Sequence, residues 1–364
     1  LGRTPRALRV PLGGGSPLLA AHSIDEVEQC PVKRGGRHRL VRQTGERGFC
    51  RAPGAKLVVS AFNPHFGEER PLVGTGGSGT IFLTHCNLRC AFCQNWEVAN
   101  LGIGTERTID DFASMMLQLQ EIGCHNINLV TPTHYSALIL KALDIAAESG
   151  LRLPIVYNTS GWERLEILRL LDGIVDIYLP DFKYWDSGMS AKYSDGAESY
   201  PEMTGKAILE MHRQVGVAKP AKDGIMQRGL MIRHLVMPNN IGGSEKVMEW
   251  IAANLPKDTY VNIMVQYNPV FKAYDYPDLS RRITKKEYIN VVEKAKDLGL
   301  TNLTFEHGRL EHHQKKYDYV TGRAVTALPA FCKLVQKNID CTSEWQPPPG
   351  ILYLKGGDFG EELN

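Results

Sequence analysis

The chain has 364 residues, of which 43% are hydrophobic and 23% charged, values that are ordinary for a folded globular protein. Its 42 Lys and Arg residues against 40 Asp and Glu residues give a net charge of +2, which provides no support for non-specific nucleic-acid binding. No segment approaches the roughly 18 apolar residues of a membrane span. Eight cysteines are too few for a disulfide framework in a chain of this length. We therefore expect a reducing compartment and neither nucleic acid nor membrane as a partner.

The two ends of the chain differ in composition from the middle. Residues 1–24 carry Arg3, Arg6 and Arg9 but no acidic residue, which is typical of an organellar transit peptide; a flexible basic tail is the alternative. We expect a cytoplasmic protein, with organellar import if this segment is a transit peptide. Residues 25–75 are interpreted as an N-terminal appendage and residues 307–364, with three consecutive prolines, as a C-terminal extension.

Strands and helices alternate along the middle of the chain. Strands are predicted at residues 79–85, 127–130, 154–157, 174–179, 230–237, 260–266 and 303–305, and helices at 108–122, 135–147, 164–171, 203–215, 245–253 and 285–298. The strands are apolar on both faces, as covered parallel strands are. The sequence therefore predicts an α/β fold in which residues 76–306 form a partial (β/α)6 barrel. In such a fold the active site lies at the carboxyl ends of the strands.

A cluster of three cysteines follows the first of these strands. Cys86, Cys90 and Cys93 lie in the segment CNLRCAFC. A closed structural zinc site uses four ligands, and the sequence contains no second pair with the spacing to complete one. A four-iron cluster held by three thiolates leaves one iron open to a substrate or cofactor. The spacing therefore favours an iron–sulfur cluster.

The segment CNLRCAFCQN resembles the cluster motif of the radical S-adenosylmethionine (SAM) enzymes, including the aromatic residue before the third cysteine. This resemblance implies that Cys86, Cys90 and Cys93 bind a [4Fe-4S] cluster and are both its ligands and the catalytic centre. It also implies that SAM chelates the open iron and that Phe92 packs on the adenine. In that superfamily, one electron from the cluster cleaves SAM to methionine and a 5′-deoxyadenosyl radical, which abstracts hydrogen from a substrate.

Four further segments resemble the pyruvate formate-lyase activating enzymes and the uncharacterised branch similar to them. TPTHY, YNTSGWE, LPDFKYW and MIRHLVMPN follow in the order seen there, and the resemblance runs from about Cys30 to about Glu306. A helix cap, an exposed ion pair and a structural salt bridge are the respective alternatives for Thr133, for Asp181 with Lys183, and for Arg233. The residues that the resemblance implies as SAM contacts are Thr133, His134, Asn158, Thr159, Asp181, Lys183 and Arg233.

Two features depart from the activating-enzyme pattern. Asn158 stands where those enzymes have an Asp that helps to hold a monovalent cation, which leaves a cation near Asp181 open. Those enzymes also have a His near the end of the predicted strand 260–266 that meets the SAM carboxylate, but here Gln266 is followed directly by Tyr267 and Asn268, which are expected to face the substrate instead. The aromatic segment that continues from Tyr267 is expected to cover the pocket in part, and residues 307–364 to add a second cover.

The N-terminal appendage contains two cysteines and a pair of acidic residues. Cys30 and Cys50 match two of the four cysteines that the similar branch often carries, and two thiolates cannot close a metal site by themselves. We therefore expect no metal there. Glu68 and Glu69, in the segment NPHFGEER, are predicted to lie in a solvated loop rather than at the active-site mouth.

The function expected from this resemblance is activation of a glycyl-radical enzyme by abstraction of a backbone glycine hydrogen. A flavodoxin or ferredoxin-type protein would supply the electron. The alternative is radical SAM modification of a small molecule or of another protein. A third hypothesis, from a different class, is a non-catalytic iron–sulfur or zinc protein, which would not need SAM contacts at successive strand ends.

Overall fold

The computed structural model describes residues 49–54, 56–305, 319–323, 332–333, 336, 339 and 350–354. The chain divides into two compact units between Phe305 and Glu306, and each is described by itself. The predicted tail of residues 1–24, together with Cys30 and Cys341, lies outside the described residues. So does most of the segment 307–364 that is predicted to add a cover.

The first unit contains one sheet of nine strands, in the order β3-β1-β2-β4-β5-β6-β7-β8-β9. Strands β2 and β4 to β9 are parallel, and β1 is antiparallel to both of its neighbours. The nine strands are β1 (Leu57–His65), β2 (Ser78–Leu83), β3 (Thr105–Arg107), β4 (Ile127–Val130), β5 (Ile155–Thr159), β6 (Ile177–Pro180), β7 (Gly229–Leu235), β8 (Tyr260–Met264) and β9 (Leu303–Phe305).

The α-helices of the described residues complete the α/β pattern. They are α1 (Arg70–Val73), α2 (Trp96–Ala99), α3 (Ile109–Ile122), α4 (Ser136–Glu148), α5 (Leu165–Leu170), α6 (Ser187–Tyr193), α7 (Tyr200–Val215), α8 (Ser244–Asn254) and α9 (Lys285–Asp297). Helices α3, α4, α5, α7, α8 and α9 connect successive parallel strands, which gives six strand–helix units and a seventh strand. The predicted partial (β/α)6 barrel is confirmed. Within the described ranges, every helix is too short or too polar to cross a membrane.

Local sequence determines where the first connecting helix begins and ends. The Thr108 hydroxyl accepts a hydrogen bond from the Asp111 N–H at 3.1 Å, and the Asp111 carboxylate accepts one from the Thr108 N–H at 3.1 Å. This capping box satisfies two N–H groups that the helix itself leaves unpaired. Gly123 ends the helix with a left-handed φ of 96°. The helix predicted from Thr108 therefore begins and ends where its capping residues require.

Strand β1 was not predicted, because only its first part, Leu57–Val59, is apolar and buried. It pairs with β2 from Val59 to His65, with a bulge after Val59, and with the edge strand β3. The predicted N-terminal appendage, residues 25–75, thus contributes a strand to the main sheet, and the boundary predicted at residue 75 lies within the barrel unit.

The interior of the barrel is arranged in layers along the strands. Val156, Ile177, Met231 and Tyr260 belong to one buried apolar cluster. Two residues further along β5, β7 and β8, on the same face of each strand, stand Asn158, Arg233 and Asn262. These three side chains, the polar layer, lie between the apolar cluster and the carboxyl ends of their own strands, whereas on β6 the cluster extends to Leu179, the register partner of Asn158.

In the second unit, β10 (Tyr319–Arg323) and β11 (Gly350–Leu354) form a parallel pair.

Candidate functional site

The three predicted cluster ligands lie on the loop that follows β2. Cys86, Cys90 and Cys93 line one cavity of about 240 Å³ at the carboxyl ends of the strands. The Ser194 hydroxyl donates to the Cys90 sulfur at 3.2 Å, and the Leu88 N–H lies 3.4 Å from the Cys86 sulfur. The cysteine loop and the residue that follows α6 therefore orient the Cys86 and Cys90 thiols.

Burial raises the pKa of all three thiols, to about 11 for Cys90 and about 12 for Cys93. The charges of Cys90 and Cys86 add to the rise at Cys93, which shows that the three groups are close neighbours. Without a metal the thiols are therefore neutral at pH 7, and metal binding would release their protons.

The donor set fits an iron–sulfur cluster better than a single ion. Among residues 49–54 and 56–305 and the shorter described stretches, no three His, Cys, Asp or Glu side chains converge on one metal-ion position. Cysteines that hold a [4Fe-4S] cluster bind different irons, so their sulfur atoms need not converge on one point. Cys86, Cys90 and Cys93 supply thiolates of the kind that such clusters use.

Residues at the ends of five successive strands, β4 to β8, reach the same cavity. Besides the predicted residues, the strand ends contribute Val130 on β4 and Thr131 after it, Leu235 on β7 and Met264 on β8. The sequence-predicted residues that line the cavity, besides the cysteines, are Phe92, Asn158, Thr159, Asp181, Lys183 and Arg233. The structure thus brings six of the eight predicted SAM contacts together with the three thiols.

Thr133 and His134 are the two predicted contacts that do not line the cavity. The Thr133 hydroxyl donates to the buried carboxyl of Glu163 at 2.5 Å, and the His134 ring bonds the carbonyl of Thr84 at 2.9 Å. Thr131 is the residue of this turn that lines the cavity. It has a left-handed φ of 60°, which turns the chain after β4 away from a regular helix start.

Glu163 lies behind β5, and its role was not predicted although it belongs to the segment YNTSGWE. Its side chain is 1% exposed and accepts hydrogen bonds from the Thr133 and Thr159 hydroxyls. Burial raises the pKa of Glu163 to about 7, against the effect of these hydrogen bonds. Glu163 therefore links the turns that follow β4 and β5.

A buried network of charges forms the side of the cavity opposite β2. Arg233 Nε donates to Asp181 Oδ1 at 2.8 Å, Arg233 Nη2 donates to Asn158 Oδ1 at 2.6 Å, and Lys183 Nζ bonds the second oxygen of Asp181. Burial alone would raise the pKa of Asp181, but the charges of Arg233 and Lys183 outweigh that effect and hold it below its ordinary value. Both Asp181 oxygens are thus bonded to cationic side chains.

Glu68 and Glu69 are part of this network, and the prediction that they lie in a solvated loop is wrong. Glu69 is 8% exposed, and the Glu68 side chain is 10% exposed with Oε2 3.6 Å from Arg233 Nη1. The Asn262 amide donates to Glu69 Oε1 at 3.0 Å. The sequence signal was weak, because two adjacent acids among polar residues are usually solvated.

Aromatic side chains pack against Phe92 in the loop that carries the three cysteines. The Phe92 ring lies 5.9 Å from the ring of Tyr267 and 6.2 Å from that of Tyr184. Tyr267 is buried and its hydroxyl donates to the Leu279 carbonyl, while Asn268 accepts from Arg282. Neither Tyr267 nor Asn268 lines the cavity, so the prediction that they face the substrate is not supported.

The segment after β8, which the sequence predicts as a cover, lies against the loop that carries the cysteines; Gln266 at its start lines the cavity, and a covering role for the rest stays a prediction. The Lys272 N–H donates to the Ala91 carbonyl at 3.0 Å, and the rings of Trp96 and Phe271 stack with centroids 5.1 Å apart. The Gln94 amide donates to the Gln266 carbonyl at 2.9 Å. Three contacts therefore fasten the cover to the loop that carries the cysteines.

Cys50, the second appendage cysteine, is buried in the main core. The expectation that the appendage binds no metal stays a prediction, because Cys30 is outside the described residues.

A glycine is required at position 161, because the chain after β5 passes close to the chain after β6 there. It has a φ of 83°, and a Cβ added there would lie 2.3 Å from the carbonyl oxygen of Asp181. Gly173 has the same φ of 83° but no atom within 4 Å of such a Cβ in the described part of the chain. We expect Gly161→Ala to lower the free energy of unfolding by about 1–3 kcal/mol more than Gly173→Ala, because only Gly161 adds a clash to the backbone strain. Chemical denaturation of both variants measures the difference, and equal losses would contradict the close approach.

The fold and the site define the class of protein. Residues 80–187, from β2 to the start of α6, match the family model described as the radical SAM superfamily. An uncharacterized protein of Methanocaldococcus jannaschii is 32% identical over 275 residues, which cover 72% of this chain and 74% of that protein. The chain belongs to the radical SAM superfamily, which implies SAM and a [4Fe-4S] cluster as its cofactors.

More distant likenesses are partial. A stretch of 70 residues is 39% identical to ribosomal RNA small subunit methyltransferase G of Bacteroides fragilis, over 19% of this chain and 34% of that protein. A domain of a pyruvate-formate lyase-activating enzyme from Bacteroides vulgatus is similar over 48% of this chain and 92% of that domain, at 14% identity and a TM-score of 0.33. Streptococcus suis SuiB bound to S-adenosylmethionine is similar over 64% of this chain and 51% of SuiB, at 14% identity and a TM-score of 0.44. Scores this low add nothing to the assignment.

Proposed function

We propose that the protein holds a [4Fe-4S] cluster on Cys86, Cys90 and Cys93 and binds SAM in the cavity beside it. The observation that carries this proposal is the lining of one cavity by all three thiols and by side chains from successive strand ends. When bound, the cluster supplies the electron that cleaves SAM to a 5′-deoxyadenosyl radical. Arg233 and Lys183 would offer positive charge to the methionyl carboxylate.

Within this chemistry, we propose hydrogen abstraction from a backbone glycine of a glycyl-radical enzyme. Carboxamide side chains at Gln94, Asn95 and Asn100 line the cavity, and each carries donors and acceptors of the kind that a peptide group pairs with. Leu101 and Ile103, which follow Asn100, are 59% and 55% exposed. Exposed apolar residues beside the cavity would suit contact with a protein partner. A flavodoxin or ferredoxin-type protein is the proposed electron donor.

A second candidate is radical modification of a small molecule or of a different protein. The observation that favours the small molecule is the cover after β8, since it is fastened to the cluster loop at Ala91, Gln94 and Trp96. Sites for small molecules bury most of the ligand surface, and a fixed cover would help to do so.

Electron paramagnetic resonance distinguishes the two candidates. The reconstituted, reduced protein is incubated with SAM and a glycyl-radical enzyme from the same source, with a sample lacking SAM as the control. Activation should produce a glycyl doublet that depends on SAM. Absence of the doublet, together with SAM-dependent turnover of a small molecule, would favour the second candidate.

A further inference from the structure

The polar layer beneath the cavity contains two adjacent carboxyl groups that come from outside the strands. Glu68 and Glu69 precede α1, and neither lines the cavity. The Asn158 amide donates to Glu68 Oε1 at 3.3 Å, and the Asn262 amide donates to Glu69 Oε1 at 3.0 Å. The pair is thus held inside the barrel by side chains of β5 and β8.

Arg233 connects this pair to the cavity. Its Nε and Nη2 make hydrogen bonds of 2.8 and 2.6 Å to Asp181 and Asn158, whereas its Nη1 lies 3.6 Å from Glu68 Oε2. A separation of 3.6 Å is too long for a hydrogen bond, so this third interaction is electrostatic. Its strength therefore depends on the charge of Glu68, while the other two contacts fix the plane of the guanidinium.

The carboxyl group of Glu68 is surrounded by buried polar side chains. Glu69 and Asn128 are both buried, and both interact with it. The side chains that face Glu68 are Glu69 from its own segment, Asn128 from β4, Asn158 from β5 and Arg233 from β7. Of these four neighbours, Arg233 carries the positive charge, so it compensates the charge of Glu68.

We propose that Glu68 is a positioning residue, which sets through Arg233 how much positive charge the carboxylate of bound SAM meets in the cavity. This inference rests on the proposed function, because it assigns SAM to the cavity that Arg233 lines. An ionised Glu68 competes with the SAM carboxylate for Arg233, whereas a neutral Glu68 leaves the guanidinium to SAM.

The competition should depend on pH in a defined direction. Burial raises the pKa of Glu68 to about 7, an effect that Arg233 opposes and Glu69 reinforces. Glu68 gains its charge as the pH rises through this value, so the affinity for SAM should fall between about pH 6 and about pH 8. By linkage, binding of the SAM carboxylate favours the protonated form of Glu68.

The test measures the dissociation constant of SAM for the full-length, cluster-reconstituted protein by anaerobic equilibrium dialysis at both pH values. Between these pH values the dissociation constant of the wild type should rise about fivefold more than that of Glu68→Gln, at the lower end of usual coupling strengths. Gln is neutral at both pH values, so Glu68→Gln lacks this additional rise. Glu121→Gln, on the exposed face of α3, is the matched control and should follow the wild type. Protonation of SAM itself changes the dissociation constant equally for all three proteins. It therefore cancels when the value of one protein is divided by that of another at the same pH.

A second variant tests the inference independently, in case Glu68→Gln does not fold. Glu69→Gln removes the neighbouring charge that raises the pKa of Glu68, so it should move the loss of SAM affinity to lower pH. Identical pH profiles for the wild type and Glu68→Gln, or an unmoved profile in Glu69→Gln, would overturn the inference. Failure of the proposed function gives a different result, namely a wild type that binds no SAM at either pH.

Discussion

Replacement of any one of Cys86, Cys90 and Cys93 by Ala should remove nearly all cluster iron. The three thiols line one cavity, and among the described residues no other cysteine lines it. A cluster that is held by three thiolates cannot be retained by two, because the remaining irons would lack protein ligands. Iron and sulfide analysis after anaerobic reconstitution, with the visible absorbance, measures the loss from about four irons per chain.

Cys124→Ala is the matched control for this experiment. Cys124 is as buried as Cys90, with 3% and 7% exposure, but it lies at the amino-terminal end of β4, away from the strand ends. Its variant should bind iron as the wild type does. Loss of the cluster in Cys124→Ala, or a full cluster in Cys90→Ala, would show that the ligands are assigned wrongly.

Arg233→Met should destabilise the protein and weaken SAM binding together. The substitution leaves Asp181 and Glu68 buried with less positive charge near them, and breaking a buried ion pair in this way costs about 3–5 kcal/mol. For a unit of this size, at about 2 °C per kcal/mol, that corresponds to a melting temperature lower by roughly 6–10 °C. The dissociation constant of SAM should rise about tenfold or more if a charged hydrogen bond to its carboxylate is lost.

The surface offers a matched control, because Arg213→Met also removes two ion pairs. Arg213 bonds Asp172 and Glu210, but its side chain is 56% exposed, so water replaces the lost partners. Circular-dichroism melting should show little change for Arg213→Met. If the two variants melted at the same temperature and bound SAM equally, the network around Asp181 would contribute neither to stability nor to binding.

The sequence predicted the parallel part of the fold well because its signals are local. Each predicted parallel strand is an apolar run between helices, and α3 and α9 begin with capping boxes at Thr108 and Thr284. The cysteines were predicted because all three ligands lie within eight residues of one loop. The edge strand β3 was missed, since only three residues, Thr105–Arg107, form it and two of them are exposed.

The parts of the site that could not be predicted depend on contacts between distant segments. The burial of Glu68 and Glu69 is compensated by Arg233 and Asn262, which lie on other strands, so no local pattern marks the two acids as buried. Thr133 and His134 were expected to contact SAM because they follow β4, yet Thr131 faces the cavity there. A left-handed residue within a turn decides which side chain points inward, and Thr is an uncommon residue to adopt that conformation.

The layered interior of the barrel also constrains the order of events during turnover. The apolar cluster around Val156 and Met231 fills the barrel interior below the polar layer, and the cavity lies at the strand ends, where both the cofactor and the substrate would enter. If a large partner docks over that opening, SAM has to bind before it. Methionine and 5′-deoxyadenosine can then leave only after the partner dissociates. A protein partner at this opening would therefore imply a compulsory-order cycle, in which release of the partner precedes cofactor exchange.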